Sequence, residues 1–340
     1  MTVTIIGGGF WGDEGKGKII SYIAYSEDPA IVARGGVGTN AGHTVVYKGK
    51  KYGLRMIPSG FTSEKSRLLI GAGVLADPRV FIKEIKETKT EDRIGIDFQT
   101  GIIEEKHKTK DQTDEHLSEK IGSTGSGCGP ANVDRARRTL KLARDIPELQ
   151  PYLTDVSKEV NEAVEKGQNV LLEGTQGTML SLFHGTYPFV TSKDVSASQI
   201  CADVGIGPTK VDEVILVLKA FMTRVGKGPM PGTLSEEESK KRGWIEHGTV
   251  TGRLRRAAPI DFDIARKAVR LNGATQIALT KLDIVFPEIA GETTPNKLTK
   301  EALKFIENVE QETNIPVTFL GTGPEAKSLI DLRKEKLAKR

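Results

Sequence analysis

The chain has little of what an exported or membrane-bound protein needs. Its 340 residues include two cysteines, Cys128 and Cys201. Two are too few for a disulfide framework, and neither has a Cys or His nearby at metal-ligand spacing. No segment approaches the roughly 20 apolar residues of a membrane span. The first residues run straight into a strand-like segment, Thr2–Ile6, without the basic start, apolar stretch and cleavage site of a secretory leader. A cytoplasmic location and no membrane partner are expected. The five histidines (His43, His107, His116, His184 and His247) are scattered, which argues against a zinc site. The net charge of +4 is spread among interspersed acids and bases, so it suits anionic small molecules but leaves no nucleic-acid footprint.

What is present is ordinary globular material, 37% apolar and 28% charged. Runs rich in Val, Ile and Leu, bounded by Gly or Pro, recur at Thr2–Ile6, Ile31–Arg34, Arg67–Ile70, Asn169–Glu173, Asp212–Leu218, Thr275–Thr280 and Val317–Leu320. Such runs read as buried parallel strands. Helix-period segments at Asp155–Lys166, Asp261–Leu271 and Lys300–Asn308 lie between them. The expected fold class is α/β, a mainly parallel central sheet flanked by helices. Thr44–Tyr47 and Tyr52–Met56, joined by residues 48–51, read as an inserted hairpin. Residues 83–120 are charged and weakly periodic, which predicts surface helix and loop. With no repeat and no clear boundary, residues 1–340 read as one domain with mobile loops.

The loop after the first strand, Gly7-Gly8-Gly9-Phe10-Trp11-Gly12-Asp13-Glu14-Gly15-Lys16-Gly17-Lys18, satisfies two phosphate-binding templates. Gly7, Gly9 and Gly12 spell the G-x-G-x-x-G of dinucleotide folds, and Gly12, Gly17 and Lys18 the G-x-x-x-x-G-K of nucleotide triphosphatases. The first wants an acid at the end of the second strand, where Arg34 stands instead; an arginine there would suit a 2′-phosphate. The second wants a Ser or Thr where Ile19 stands, so Mg²⁺ needs another ligand, for which Asp13 is the candidate. Asp13 as a plain helix cap is the alternative. A second loop, Gly35 to Thr44, is rich in glycine, which lets backbone approach a ligand. It ends near His43, either an acid or electrostatic stabiliser or a solvated surface histidine.

These two loops resemble the opening of the adenylosuccinate synthetases, in Trp11-Gly12-Asp13-Glu14-Gly15-Lys16-Gly17-Lys18 and Asn40-Ala41-Gly42-His43-Thr44. The resemblance continues in family order through Ser123-Thr124-Gly125-Ser126-Gly127, Glu173-Gly174-Thr175-Gln176-Gly177-Thr178, His184 to Pro188, Val190-Thr191-Ser192 and Thr223-Arg224-Val225-Gly226. It ends with Thr249 to Arg256, Thr280-Lys281-Leu282-Asp283 and Thr322-Gly323-Pro324. It implies an enzyme that joins L-aspartate to inosine monophosphate (IMP) at the expense of GTP, a homodimer with shared sites, and one Mg²⁺ per subunit. The departures are a shorter chain after the arginine-rich loop, Val37-Gly38-Thr39 in the second loop, Ser126 where arginine is common, and Leu254 interrupting the arginine run.

By matching position the resemblance implies Asp13 as base and metal ligand, His43 as donor to the purine 6-oxygen, and Lys16 against the transferred phosphate. Gly42 would offer its carbonyl to the metal. GTP would meet Gly12, Asp13, Glu14, Gly15, Lys16, Gly17, Lys18, Arg255, Lys281, Leu282, Asp283, Gly321, Thr322 and Gly323. IMP would meet Asp13 to Lys16, Asn40, Ala41, Gly42, His43, Thr124, Gln176, Thr191 and Arg253, with Arg138 reaching its phosphate from the partner subunit. Aspartate would lie on Thr249, Val250, Thr251, Gly252, Arg253, Leu254 and Arg255.

These residue types suit the chemistry that the resemblance implies. Displacing a purine oxygen by an amine requires a good leaving group, which phosphoryl transfer makes, and that transfer rests on positioning and charge stabilisation. A carboxylate such as Asp283 accepts both donors of the guanine edge, a pair adenine lacks. Arg253 and Arg255 suit a dicarboxylate. Two rivals remain: a GTP-binding switch, which needs neither His43, Gln176 nor the arginine loop, and a dinucleotide-dependent dehydrogenase.

Overall fold

The structure, a computed structural model, describes residues 2–248 and 252–338. Ten strands form one continuous sheet. From edge to edge they run Leu329–Asp331, Val317–Gly321, Gln276–Thr280, Glu213–Lys219, Val3–Gly8, Val170–Glu173, Ile31–Arg34, Arg67–Ile70, Ile94–Asp97 and Leu153–Thr154. Every neighbouring pair is parallel except the antiparallel edge between Val317–Gly321 and Leu329–Asp331. The first strand lies at the centre, with Ile5 opposite Leu172 on one side and Val214 on the other. Ile5, Leu172, Val32 and Leu216 are buried on both faces of the sheet, which is why these strands read as unbroken apolar runs rather than alternating ones.

The helices end where their polar residues dictate. Asp155, Asp261 and Thr299 accept from Lys158 N, Ile264 N and Ala302 N at 2.9, 3.1 and 3.2 Å, capping helices Val156–Glu165, Phe262–Asn272 and Lys300–Thr313. The last helix runs five residues past its expected end at Asn308, because Val309 and Thr313 continue its buried face until Asn314 turns left-handed at φ 57°.

Two further expectations are corrected. The hairpin pairs His43–Tyr47 with Lys50–Leu54, so only Lys48 and Gly49, at φ 50° and 74°, make the turn. Two positive φ values match the twist of a two-residue hairpin, and Gly49 supplies one at no steric cost. Residues 83–120 are not all surface: Ile94–Asp97 is a buried strand of the main sheet, concealed in the sequence by its four-residue length and charged flanks. Strand Val3–Gly8 passes through the glycine loop into helix Lys16–Glu27, and Glu173, Arg34, Lys219, Thr280 and Gly321 end their strands on the same side of the sheet. Ligands of open α/β sheets bind at those carboxyl ends.

Candidate active site

A cavity of about 920 Å³ opens over these strand ends. The glycine loop forms one wall. Gly12, Asp13 and Gly15 have φ of 88°, 62° and 92°, a left-handed path that turns the backbone back on itself before the helix. Glu14 holds this path from inside: buried, it accepts from Phe10 N at 3.0 Å, Gly12 N at 2.7 Å and Lys16 Nζ at 2.9 Å. Glu14 therefore braces the loop and does not line the cavity, whereas Gly12, Asp13, Gly15, Lys16, Gly17 and Lys18 do. Gly15 precedes helix Lys16–Glu27 with no side-chain cap, leaving the helix N-terminus to face an anion. Asp13 is not the cap; its carboxylate meets Arg255 Nη2 at 2.9 Å. Burial pushes its carboxyl above the usual range, with Arg255 and Lys219 pulling the other way. Ile19 is buried in the apolar core, so it takes no part in holding an ion.

The second loop brings Asn40, Ala41, Gly42 and His43 to the same cavity, beside Gly17. His43 is buried, and its Nδ1 lies 2.5 Å from Glu173 Oε1. The same carboxylate accepts from Arg34 Nη1 at 3.2 Å, Ser59 N at 2.6 Å and Ser59 Oγ at 2.9 Å. Burial works against the Glu173 charge, but His43, Arg34 and Ser59 N outweigh it and hold the carboxyl below its usual range. Burial also lowers His43 to about 4, with Glu173 opposing. The resting imidazole is therefore neutral, with its proton on Nδ1, and Nε2 is buried without a hydrogen-bond partner. Asn40 Oδ1 and Gln176 Nε2 are orphaned in the same way, although Asn40 Nδ2 donates to Thr191 Oγ1 at 3.1 Å. Buried polar atoms are nearly always paired, so three orphans lining one cavity mark where a polar ligand fits. Thr124 and Thr191 also line it. Arg34, fully buried on Glu173, is not available for a 2′-phosphate, which removes the support the dehydrogenase reading drew from it.

A charged hub adjoins the glycine loop through the Asp13–Arg255 pair. Glu246 Oε2 accepts from Lys219 Nζ at 2.7 Å and Arg255 Nη1 at 2.6 Å, and its Oε1 lies 3.2 Å from Lys281 Nζ. Burial opposes ionisation of Glu246, but Lys219, Lys281 and Arg255 bring its carboxyl down to about 2. Arg253, two residues from Arg255, turns elsewhere and donates to the carbonyls of Gly122 and Ser123 at 3.1 and 3.3 Å, so the two arginines do have separate neighbours. Glu246 and Arg255 face each other across the stem of this arm, with Arg255 N donating to Glu246 O at 2.9 Å. Of the residues expected to take aspartate, Thr249, Val250 and Thr251 lie outside the described residues, and Gly252 and Leu254 do not line the cavity.

Beyond the glycine loop, Lys281, Asp283 and Gly323 reach the cavity, while Leu282, Gly321 and Thr322 lie behind it. Leu282 anchors the turn in the core, and Thr322 Oγ1 donates to Glu292 O at 2.6 Å. Burial raises the Asp283 carboxyl, with Lys281 opposing, and lowers Lys18 to about 8, with Asp283 opposing. Arg138 is exposed at the end of helix Cys128–Arg137, at φ 63°, and does not line this chain's cavity. Sequence reasoning passed over Glu173, Lys219 and Glu246 as site residues. Glu173 and Lys219 had a signal, a charged residue closing an otherwise apolar strand; Glu246 had none.

A family profile, "Adenylosuccinate synthetase", matches residues 5–148 and 140–290. The adenylosuccinate synthetase of Methanocaldococcus jannaschii is 60% identical over 338 residues, 98% of each chain, and that of Pyrococcus horikoshii is 56% identical over 336 residues, covering 98% of this chain and 99% of its own. A solved structure of the fully ligated enzyme from Plasmodium falciparum superposes with a TM-score of 0.91 at 26% identity, covering 97% of this chain and 100% of the other. Among the described residues no helix is long and apolar enough to cross a membrane.

Proposed function

Since this chain belongs to the adenylosuccinate synthetase family, it is a ligase that joins L-aspartate to IMP with GTP in purine biosynthesis, and we propose that it first phosphorylates the 6-oxygen of IMP. The observation that carries the proposal is the pairing of Asp13 and the orphaned His43 Nε2 on two loops of one cavity, with Lys16 on the same wall as Asp13. Asp13, paired with Arg255, takes the proton from purine N1, and the 6-oxygen becomes nucleophilic. His43 stabilises the charge that develops on that oxygen by donating from Nε2. Because Nδ1 already donates to Glu173, donation from Nε2 requires the imidazolium, so IMP binding brings a proton to His43 and Glu173 compensates its charge. Lys16 and the glycine-loop amides lie against the γ-phosphate in flight, and Asn40, Gln176, Thr124, Thr191 and Arg253 hold IMP. Once the oxygen is phosphorylated, the aspartate amine displaces it as phosphate.

Asp13 and Gly42 suit a Mg²⁺ ion: both line the cavity, and a carboxylate with a backbone carbonyl is a hard oxygen donor set. Among the described residues no cluster of three His, Cys, Asp or Glu side chains could chelate a metal, which fits an ion held largely by nucleotide oxygens and water. When bound it would neutralise phosphate charge. Asp283 would read guanine N1–H and the 2-amino group. We further propose a cytoplasmic homodimer, the whole chain acting as one domain, with Arg138 completing the neighbour's site; Arg138 is exposed and does not line its own cavity, and Val133 on the preceding helix is an exposed apolar residue. The test is turnover. Protein supplied with GTP, Mg²⁺, IMP and aspartate forms adenylosuccinate with one GDP per product, and Asp13→Asn slows it about 10²–10⁴-fold without abolishing IMP binding. An active Asp13→Asn enzyme overturns the assigned base.

A further inference from the structure

The cavity's cations differ in what holds them. Of those that line it, Arg255 and Lys281 rest on Glu246 and Lys16 rests on Glu14, whereas Lys18, Arg224 and Arg253 donate to backbone carbonyls. Lys227 belongs to the second group: it lines the cavity, its ammonium donates to the backbone carbonyl of Glu119, and it forms no ion pair with a carboxylate among the described residues. A charge-assisted bond to a neutral carbonyl is readily exchanged for a carboxylate.

The backbone presenting Lys227 is firmly built. Arg256 Nη2 donates to the carbonyls on both sides of it, Gly226 at 3.0 Å and Gly228 at 2.7 Å. Buried Arg224 donates to Pro229 O at 2.5 Å and Phe189 O at 2.8 Å. Gly228, at φ 99°, lies so close on this guanidinium that a Cβ there would come within 2.4 Å of Arg224 Nη2. Two arginines fixing four carbonyls is more than an ordinary surface lysine needs. Arg253 enters the same corner from the arginine loop. It donates to Gly122 and Ser123 where Lys227 donates to Glu119, and a Cβ on Gly122 would sit 3.7 Å from Arg253 Nη1 and 3.8 Å from Lys227 N. Ser126 brings no charge to this cavity; its hydroxyl is bonded to Thr124 at 2.8 Å.

We propose that Lys227 is a specificity-determining residue for the amino-acid substrate, pairing with one carboxylate of L-aspartate while the arginine loop holds the other. The inference rests on aspartate being that substrate. A dicarboxylate is distinguished from its monocarboxylate analogues by the second cation; Lys227 is exposed where it lines the cavity, so its pairing contributes the modest amount of a solvated ion pair.

Steady-state kinetics of Lys227→Gln and Lys227→Arg test it. Glutamine keeps a donor for Glu119 O but removes the charge; arginine keeps both. The expected result is a rise of about fivefold in KM for aspartate in Lys227→Gln, with a matching weakening of inhibition by succinate. KM for IMP and GTP should stay within about twofold, and Lys227→Arg should restore most of the affinity. Turnover by the unmodified enzyme, measured first, checks the aspartate reading separately. An unchanged KM for aspartate overturns the proposal, as does an equal rise for all three substrates. A lowered melting temperature with normal aspartate kinetics would make Lys227 only a tether for residues 116–121 and would also overturn it.

Discussion

Replacing Glu173 by glutamine removes a negative charge from a site with no solvent exposure. Four donors converge on its two oxygens: His43, Arg34 and Ser59 Oγ on Oε1, and Ser59 N on Oε2. With the amide oxygen in place of Oε1, three of these bonds survive, but the new NH₂ faces Ser59 N across a 2.6 Å contact. Donor meets donor there, and Arg34 is left as a buried cation without a counter-charge. Breaking a buried ion pair on one side costs about 3–5 kcal/mol, so a fall in melting temperature is the first expectation. The second is chemical. Without the Glu173 charge the imidazolium is no longer favoured, and the rate of phosphorylation should fall about 10²–10⁴-fold. Calorimetry of IMP binding in buffers of different ionisation enthalpy reads the proton directly. The unmodified enzyme should take up about one proton per IMP at pH 7.5, and Glu173→Gln should take up none. Equal proton uptake in both proteins, or a kcat within threefold of the original, would refute the role of Glu173 in charging His43.

His43 also sets a pH dependence of stability. Its pKa is about 4 when folded against 6.5 ordinarily, so between those values the unfolded chain binds more protons and stability is lost as pH falls through this window. The contribution is about 3 kcal/mol; denaturant melts at pH 7 and 4.5 should show it, and His43→Gln should reduce it. Asp283→Asn exchanges an acceptor for a donor, so GTP should weaken and xanthosine triphosphate gain, a preference change of about 10²-fold; an unaltered ratio counts against Asp283 as the guanine reader. Mixing inactive Arg138→Ala and Asp13→Asn subunits should restore part of the activity by forming one intact site per hybrid dimer, and inactive verified hybrids would refute sharing.

The parallel sheet was legible because strands covered on both faces must be continuously apolar, and seven such runs fell within a residue or two of the strands observed. Ile94–Asp97 escaped because four residues, one of them Asp97, carry too weak a pattern. The glycine loop was readable from spacing alone, down to Ile19 being unfit for a metal, but the loop's brace was not. Glu14 looks like a ligand residue in sequence and faces inward in space, since only the left-handed path through Gly12, Asp13 and Gly15 decides its direction. The charged hub depends on pairing Lys219, Glu246 and Lys281, which are far apart in the chain and have no shared spacing. Likewise nothing local tells that Arg34 is spent on Glu173.

The central claim is that the purine 6-oxygen attacks phosphorus, and IMP labelled with heavy oxygen at that position tests it most directly. In a complete reaction with GTP, Mg²⁺ and aspartate, the account predicts the label in the released phosphate, one labelled oxygen for each adenylosuccinate formed. Label recovered in water, with unlabelled phosphate, would mean that aspartate displaces the oxygen directly and would contradict the account.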